Sequence, residues 1–161
     1  MKKLPIGIQS IERIRTENYI YVDKTQFALA LIEGDAPHYF LSRPRRFGKS
    51  LFLRTLEEIF KGNNALFEGC RIAQSNYDWQ PYPVLLFDFS GITNDTTEEL
   101  NNDLRAIITN IGQEQGIDVE GPSLKFQLTV LVKALDFYGL CKRMDIIFLI
   151  DSIISHTSKH P

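Results

Sequence analysis

Short continuous hydrophobic runs alternate along this chain with stretches whose hydrophobic residues repeat at helical spacing. Two of the continuous runs, "YPVLLFDFS" (82–90) and "DIIFLID" (145–151), have the length and composition of strands buried on both faces. Two shorter runs, "YIYVD" (19–23) and "HYFLS" (38–42), predict further strands.

Two helices are predicted in the N-terminal half. Asp23 has the character of an N-cap, and "KTQFALALIEG" then predicts a helix that ends at Gly34. The stretch "KSLFLRTLEEIFKG" predicts a second helix that ends at Gly62. Four apolar residues form the stripe of this second helix: Leu53, Leu56, Ile59 and Phe60.

Two more helices are predicted between the long apolar runs. Thr96 and Glu99 form a capping box before "TTEELNNDLRAIITNIGQEQG", and Ser123 is placed to cap a further amphipathic helix. Strands that alternate with helices favour an α/β domain with a largely parallel sheet. With 161 residues the chain is long enough for one domain with a hydrophobic core, which we expect to span 1–161.

The stretch "RPRRFGKS" (43–50) carries the candidate chemistry. Gly48, Lys49 and Ser50 match the end of the Walker A phosphate-loop pattern Gly-x4-Gly-Lys-Ser/Thr, whereas Arg43 stands at the first glycine position. Gly48 permits close approach of a phosphate, Lys49 can reach β- and γ-phosphates, and the Ser50 hydroxyl can ligate magnesium. A helix beginning near Lys49 directs its N-terminal amides at the same anion.

A magnesium site also needs an acid at the end of a neighbouring strand. The sequence offers two: "VLLFD" ends at Asp88 and "IIFLID" ends at Asp151. An acid that closes a short apolar run is common, so neither residue alone identifies a site.

The basic stretch at 43–50 has two alternative interpretations besides a nucleotide site. The chain has a net charge of −2, so its bulk charge does not make it a polyanion binder, and attraction to phosphate must be local. Arg43, Arg45, Arg46 and Lys49 supply that local charge. With Arg54 these arginines could instead form a salt-sensitive nucleic-acid-binding module. The stretch could also be a basic turn that ends in Gly-Lys-Ser by chance.

Other residue types indicate little further chemistry. Cys70 and Cys141 form no Cys-x-x-Cys pair, and the three histidines complete no metal spacing, so we expect reduced thiols. The N-terminus lacks the apolar segment of a secretory signal, and no apolar run approaches the length of a membrane span. These features predict a cytoplasmic protein without a membrane partner.

Taken together, these stretches resemble the bacterial AAA-ATPase-like family, also called predicted AAA-ATPases. The matching segments cover nearly the whole chain, and "FLSRPRRFGKS" is the most specific part. The segments are "IGIQSIERIRTENYIYVDKT" (6–25), "YFLSRPRRFGKSLFLRTLEEIFKG" (39–62), "YPVLLFDFSG" (82–91) and "IIFLID" (146–151).

The resemblance implies a P-loop NTPase-like three-layer sandwich that binds ATP and Mg²⁺. It makes Arg43 a family variant of the first glycine. It places the magnesium ligands at Ser50 and Asp151. The segment "YVDKT" (21–25) is a hallmark of the family that the resemblance places near the nucleotide. No chemistry is assigned to Asp23, Lys24 or Thr25, for which a helix cap and a turn are expected. The implied nucleotide-binding residues are Arg43, Pro44, Arg45, Arg46, Phe47, Gly48, Lys49 and Ser50.

The chain departs from the family pattern after Asp151. Family members continue Asp-Glu-Tyr-Asp-Lys-Pro and run on to a C-terminal domain similar to PD-(D/E)XK nucleases, whereas this chain continues "SIISHTSKHP". We therefore expect a shortened N-terminal part with a sheet incomplete at its C-terminal end. Such a chain would bind ATP with little hydrolysis, because Ser152 replaces the family's second acid, or would be an inactive fragment. The sequence assigns no protein partner.

Overall fold

The structure is a computed structural model that divides into two compact units, Met1–Val84 and Leu85–Pro161. For residues 136, 137, 147–149 and 151 it describes the backbone alone. The described residues are 1–34, 36, 39–42, 44, 46–89, 92, 96–137 and 147–151.

The first unit is built from helices and short 3₁₀ turns. Helix α1 packs on α3 and on the turn at Asn64–Phe67, while α2 packs on the turn at Ile72–Gln74. The α-helices are α1 (Ile11–Thr16), α2 (Thr25–Ile32) and α3 (Lys49–Phe60). The buried apolar side chains of this unit are Ile11, Ile14, Ala28, Phe52, Leu56, Ile59, Phe67, Cys70, Ile72 and Val84.

The two short strands predicted in the first unit are not formed among the described residues. Residues 19–23 contribute a single parallel bridge, between Lys3 and Tyr19. Residues 39–42 have no strand pairing, and the Phe40 side chain is 93% exposed, whereas position 38 lies outside the described residues. A strand is stable only when a neighbour satisfies its backbone groups, and aromatic residues alone do not supply that neighbour.

Helix α3 is confirmed, with its buried face rotated from the predicted stripe. Phe52, Leu56 and Ile59 are buried, whereas the predicted Leu53 and Phe60 are half-buried. Thr55 shares the buried face, since its hydroxyl donates to the Leu51 carbonyl oxygen at 2.7 Å and so needs no water. A polar residue whose hydrogen bond is made within its own helix can be buried, but a pattern of hydrophobic residues does not predict its burial.

Both long apolar runs form strands. Strands β1 (Val84–Asp88) and β2 (Ile147–Asp151) are hydrogen-bonded neighbours in a two-stranded sheet. Val84 belongs to the first unit and the remainder of β1 to the second. The described residues contain these two strands and no third, so the three-layer sandwich with a mostly parallel sheet stays a prediction.

Helices α4 (Thr97–Glu114) and α5 (Leu124–Phe137) pack against each other in the second unit. The predicted caps are confirmed: the Thr96 hydroxyl accepts from the Glu99 amide at 3.1 Å, and the Ser123 hydroxyl accepts from the Phe126 amide at 3.2 Å. The buried core of this unit consists of Leu85, Ile108, Ile111, Ile117, Val119, Leu131 and Leu135.

Helix α4 ends in a Schellman motif. Gly116 adopts φ +69°, the Ile117 amide donates to the Gly112 carbonyl oxygen at 2.8 Å, and the Gly116 amide donates to Gln113 at 3.0 Å. This turn folds Ile117 and Val119 back over the helix end, where both are buried.

Candidate functional site

Residues 46–48 turn sharply into α3. Arg46 has φ +66°, and Gly48 has φ +75° and ψ +29°, in the left-handed region that favours glycine. Gly48 is the N-cap of α3, and its carbonyl oxygen accepts the first helical bond, from the Phe52 amide at 3.0 Å. Lys49 and Ser50 are therefore the first two helical residues.

This arrangement brings polar groups together at the start of α3. The amides of the first helical turn have no intrahelical acceptor, and the positive end of the helix dipole lies at the same place. Gly48, Lys49 and Ser50 are half-buried, whereas Pro44, Arg46 and Phe47 are exposed. Arg43 and Arg45 lie outside the described residues.

A second segment, 21–25, reaches this loop. The Lys24 amino nitrogen lies 4.0 Å from the point at which a Cβ atom on Gly48 would sit, and among the described residues outside the immediate chain neighbours no other atom lies within that distance. Lys24 is half-buried and is the N-cap of α2, but its side chain makes no capping hydrogen bond.

Asp23 and Thr25 fix the backbone on either side of Lys24. The Asp23 carboxylate accepts from the Thr25 amide and from the Arg71 amide, both at 2.8 Å. The Thr25 side chain is fully buried, and its hydroxyl oxygen accepts from the Ile72 amide at 3.1 Å. The N-cap of α2 is therefore Lys24, one residue later than the predicted Asp23, although the Asp23 carboxylate does accept from an amide of the first turn.

The electrostatics of this segment follow from those contacts. Burial acts to raise the pKa of Asp23, but the amides of Thr25 and Arg71, the Thr25 hydroxyl and the charge of Arg71 together hold it below its usual value. Burial raises the pKa of Tyr21 to about 12, while the hydrogen bond between the Tyr21 and Thr55 side chains acts in the opposite direction. Arg15 lies 6.0 Å from the centre of the Tyr21 ring.

Cys70 lies in the same region as a buried free thiol. Burial, reinforced by the charge of Asp23, raises its pKa, while the charge of Arg15 acts in the opposite direction. A thiol with a raised pKa is a poor nucleophile, so Cys70 belongs to the core.

The two candidate magnesium acids each end a strand. Asp88 is the last residue of β1 and is half-buried, and Asp151 is the last residue of β2, described by its backbone alone. Both belong to the second unit, whereas Ser50 belongs to the first. The pairing of Ser50 with Asp151 therefore stays a prediction. Among the residues with described side chains, no three His, Cys, Asp or Glu residues gather as metal ligands.

Sequence comparison assigns the chain to a family. Residues 5–153 match the family described as predicted AAA-ATPase. The chain belongs to this family. The match includes the 43–50 loop, the Asp23–Thr25 segment and both strand-ending acids, so every part of the candidate site lies within the family's domain.

One curated relative of this predicted AAA-ATPase chain is an uncharacterized protein in the vnfD 5′ region of Azotobacter chroococcum mcd 1. The two are 50% identical over 118 residues, which is 72% of this chain and 22% of the relative. The chain thus spans about a fifth of that relative's length. No solved structure matches the chain. No helix among the described residues is long and apolar enough to cross a membrane.

The sequence gives Lys24 no role in this member of the predicted AAA-ATPase family. The family resemblance places the segment "YVDKT" (21–25) near the nucleotide, but capping rules describe only Asp23 and Thr25. The contact with Gly48 joins residues distant in sequence, and no local pattern records it.

Proposed function

We propose that this chain binds a nucleoside triphosphate together with Mg²⁺, with ATP as the ligand that the family description indicates. The observation that carries the proposal is the left-handed Gly48 at the N-cap of α3, followed directly by Lys49 and Ser50. A glycine in this conformation has no side chain to block an approaching anion, and the first turn of α3 presents amides to an anion placed there.

The proposal gives each residue a role. Lys49 contacts the terminal phosphates, and the backbone of residues 43–50 surrounds them. The Ser50 hydroxyl and the Asp151 carboxylate hold magnesium, with Asp88 as the alternative acid. Hydroxyl and carboxylate oxygens are the donors that Mg²⁺ prefers.

The same proposal includes the finer statement of fold. We place residues 1–161 in one P-loop domain with a mostly parallel sheet, to which β1 and β2 contribute. The β1–α4–α5–β2 order supports it, because two paired strands joined through helices are typical of α/β domains.

We further propose that the chain binds ATP but hydrolyses it very slowly. An ATPase must also position or activate a water for attack on the terminal phosphate. Ser152 stands where the resemblance places an acid, and a serine hydroxyl has no basic function near neutral pH without a base of its own. Phosphate release at the level of a Lys49→Ala blank is the expected result.

The nucleic-acid alternative receives less support from the described contacts. Arg54, one of its four arginines, donates to the Glu57 carboxylate at 3.1 Å, and Lys61 occupies the other oxygen of that carboxylate at 2.7 Å. A guanidinium already paired with an acid is less available to phosphate. Arg46 remains exposed in the loop.

The deciding experiment is calorimetric titration of the purified chain with ATP, in the presence and absence of Mg²⁺. Lys49→Ala should abolish measurable binding, and Ser50→Ala and Asp151→Asn should reduce the effect of Mg²⁺. Arg46→Ala is the matched control, because the proposal gives the phosphates the backbone of Arg46 and not its side chain, so the variant removes a loop cation and keeps the binding backbone. We expect this variant to bind ATP within a few-fold of the wild type.

Two results would contradict the proposal. Equal losses in Lys49→Ala and Arg46→Ala, together with steep salt dependence and binding of oligonucleotides, would instead support a diffuse basic surface. No binding of ATP by a folded wild-type chain would support the inactive form.

A further inference from the structure

We propose that Lys24 is a second phosphate-binding cation of the nucleotide site, acting beside Lys49. This inference rests on the proposed function and adds a residue from a separate segment of the chain. Its basis is the approach of the Lys24 amino nitrogen to within 4.0 Å of the Cβ point of Gly48.

The position of Lys24 is built into the fold. The residues on both sides are fastened to the 71–72 backbone: Asp23 accepts from the Arg71 amide, and Thr25 accepts from the Ile72 amide. Thr25 is also fully buried. The backbone of Lys24 is therefore held between two long-range hydrogen-bonded anchors, and the mobility of its side chain is confined to its own rotatable bonds.

The charges around Lys24 favour a bound anion. Among the described residues, no carboxylate forms a salt bridge with Lys24, and both oxygens of the adjacent Asp23 already accept from backbone amides. The Lys24 amino group lies close to Gly48, the N-cap of α3, and so close to the positive end of that helix. An ammonium group at a helix N-terminus is unfavourable without an anion and favourable with one.

The chemical class that fits is a polyphosphate. A lysine ammonium acts as a point charge with three donors, which suits the oxygens of adjacent phosphates and not a flat base or a sugar. Because Gly48 has no side chain, nothing from that residue stands between Lys24 and the loop backbone that the phosphates approach. The contribution of Lys24 should therefore grow with the number of phosphates on the ligand.

The test compares Lys24→Gln, Lys24→Arg and the wild type in titrations with ATP, ADP and adenosine, all with Mg²⁺. Lys24→Gln should weaken ATP binding by about 10-fold or more, the range of a hydrogen bond to a charged group. The loss should be smaller for ADP and absent for adenosine, and Lys24→Arg should recover part of it. Lys125→Gln, an exposed lysine of α5, matches the change in net charge and should bind ATP like the wild type.

Stability must be measured in parallel, because Lys24 is the N-cap residue of α2. Its side chain makes no capping bond, so Lys24→Gln should unfold at the temperature of the wild type. Wild-type ATP affinity in Lys24→Gln, with binding still lost in Lys49→Ala, overturns this inference and leaves the proposed function standing. An equal loss for ATP and adenosine also overturns it, since the contact would not be to phosphate. No ATP binding by the wild type overturns both.

Discussion

The Asp23 carboxylate accepts a hydrogen bond from the Arg71 backbone amide, 48 residues further along the chain, at 2.8 Å. This contact and the bond from the Ile72 amide to Thr25 join the start of α2 to the 3₁₀ turn at Ile72–Gln74. We call these two hydrogen bonds the clamp. The clamp fixes the backbone of Lys24, whose side chain reaches Gly48 in the candidate nucleotide loop.

Asp23→Asn should make the free energy of unfolding of the first unit less dependent on pH. The folded pKa of Asp23 lies below the unfolded value of about 3.9. The stabilisation from its ionised form is therefore fully present above about pH 4 and is lost as the pH falls through the folded pKa. Urea unfolding at pH 7 and pH 3 should show Asp23→Asn less stable than the wild type at pH 7, with a smaller difference at pH 3.

The control for that measurement is Asp78→Asn. Asp78 is exposed and accepts a local hydrogen bond from the Gln80 amide at 3.2 Å, so it joins no distant parts of the unit. A difference between wild type and Asp23→Asn that stays constant across pH would contradict the assigned role of ionised Asp23.

Thr25→Val should destabilise the first unit by about 1–3 kcal/mol, because the Ile72 amide loses its acceptor in a buried place. Valine has nearly the shape of threonine, so the change tests the hydroxyl and not the packing. Thr129→Val is the matched control: Thr129 is exposed, its hydroxyl donates to the Lys125 carbonyl oxygen, and the expected effect is within about 0.5 kcal/mol. Equal effects of the two variants in denaturant titrations would show that the Thr25 hydroxyl is not part of a clamp.

Gly48→Ala should cost about 1–2 kcal/mol of stability, because φ +75° is unfavourable for any residue with a Cβ. Among the described residues the added methyl group meets Lys24 alone, at an ordinary contact distance, so we expect backbone strain and not a clash to cause the loss. Gly69→Ala imposes the same strain at φ +77°, and no atom of the described residues lies within 4 Å of its added Cβ. Both variants should lose similar stability, but only Gly48→Ala should also weaken ATP binding, and similar ATP affinities in the two would contradict the placement of the phosphates.

Gly112→Ala should destabilise the second unit although alanine is the better helix former. An added Cβ would lie 2.8 Å from the Ile117 carbonyl oxygen and 2.9 Å from a Val119 methyl carbon. Overpacking of about 1–3 kcal/mol against the Schellman turn should exceed the propensity gain of about 1 kcal/mol. Asn110→Ala, at an exposed position of the same helix, gains propensity without the clash and should be neutral or stabilising in thermal unfolding.

Local patterns in the sequence predicted much of the second unit correctly. Thr96 and Ser123 cap the helices that their spacing indicates, and the runs at 82–90 and 145–151 contain β1 and β2. Caps and hydrophobic periods act between residues a few positions apart, so the sequence records them directly. The two short aromatic runs failed as strands because a strand depends on a partner elsewhere in the chain.

The sequence by itself determined the order of residues in the loop, the start of α3 at Lys49 and membership of the predicted AAA-ATPase family. The tertiary structure alone decided that Lys24 lies beside Gly48 and that Asp23 and Thr25 hold it there through Arg71 and Ile72. The physical reason is the distance along the chain that each contact spans. A glycine before a helix is favoured by its own backbone, whereas an ammonium group is carried to that glycine only when two distant segments fold together and satisfy each other's hydrogen bonds.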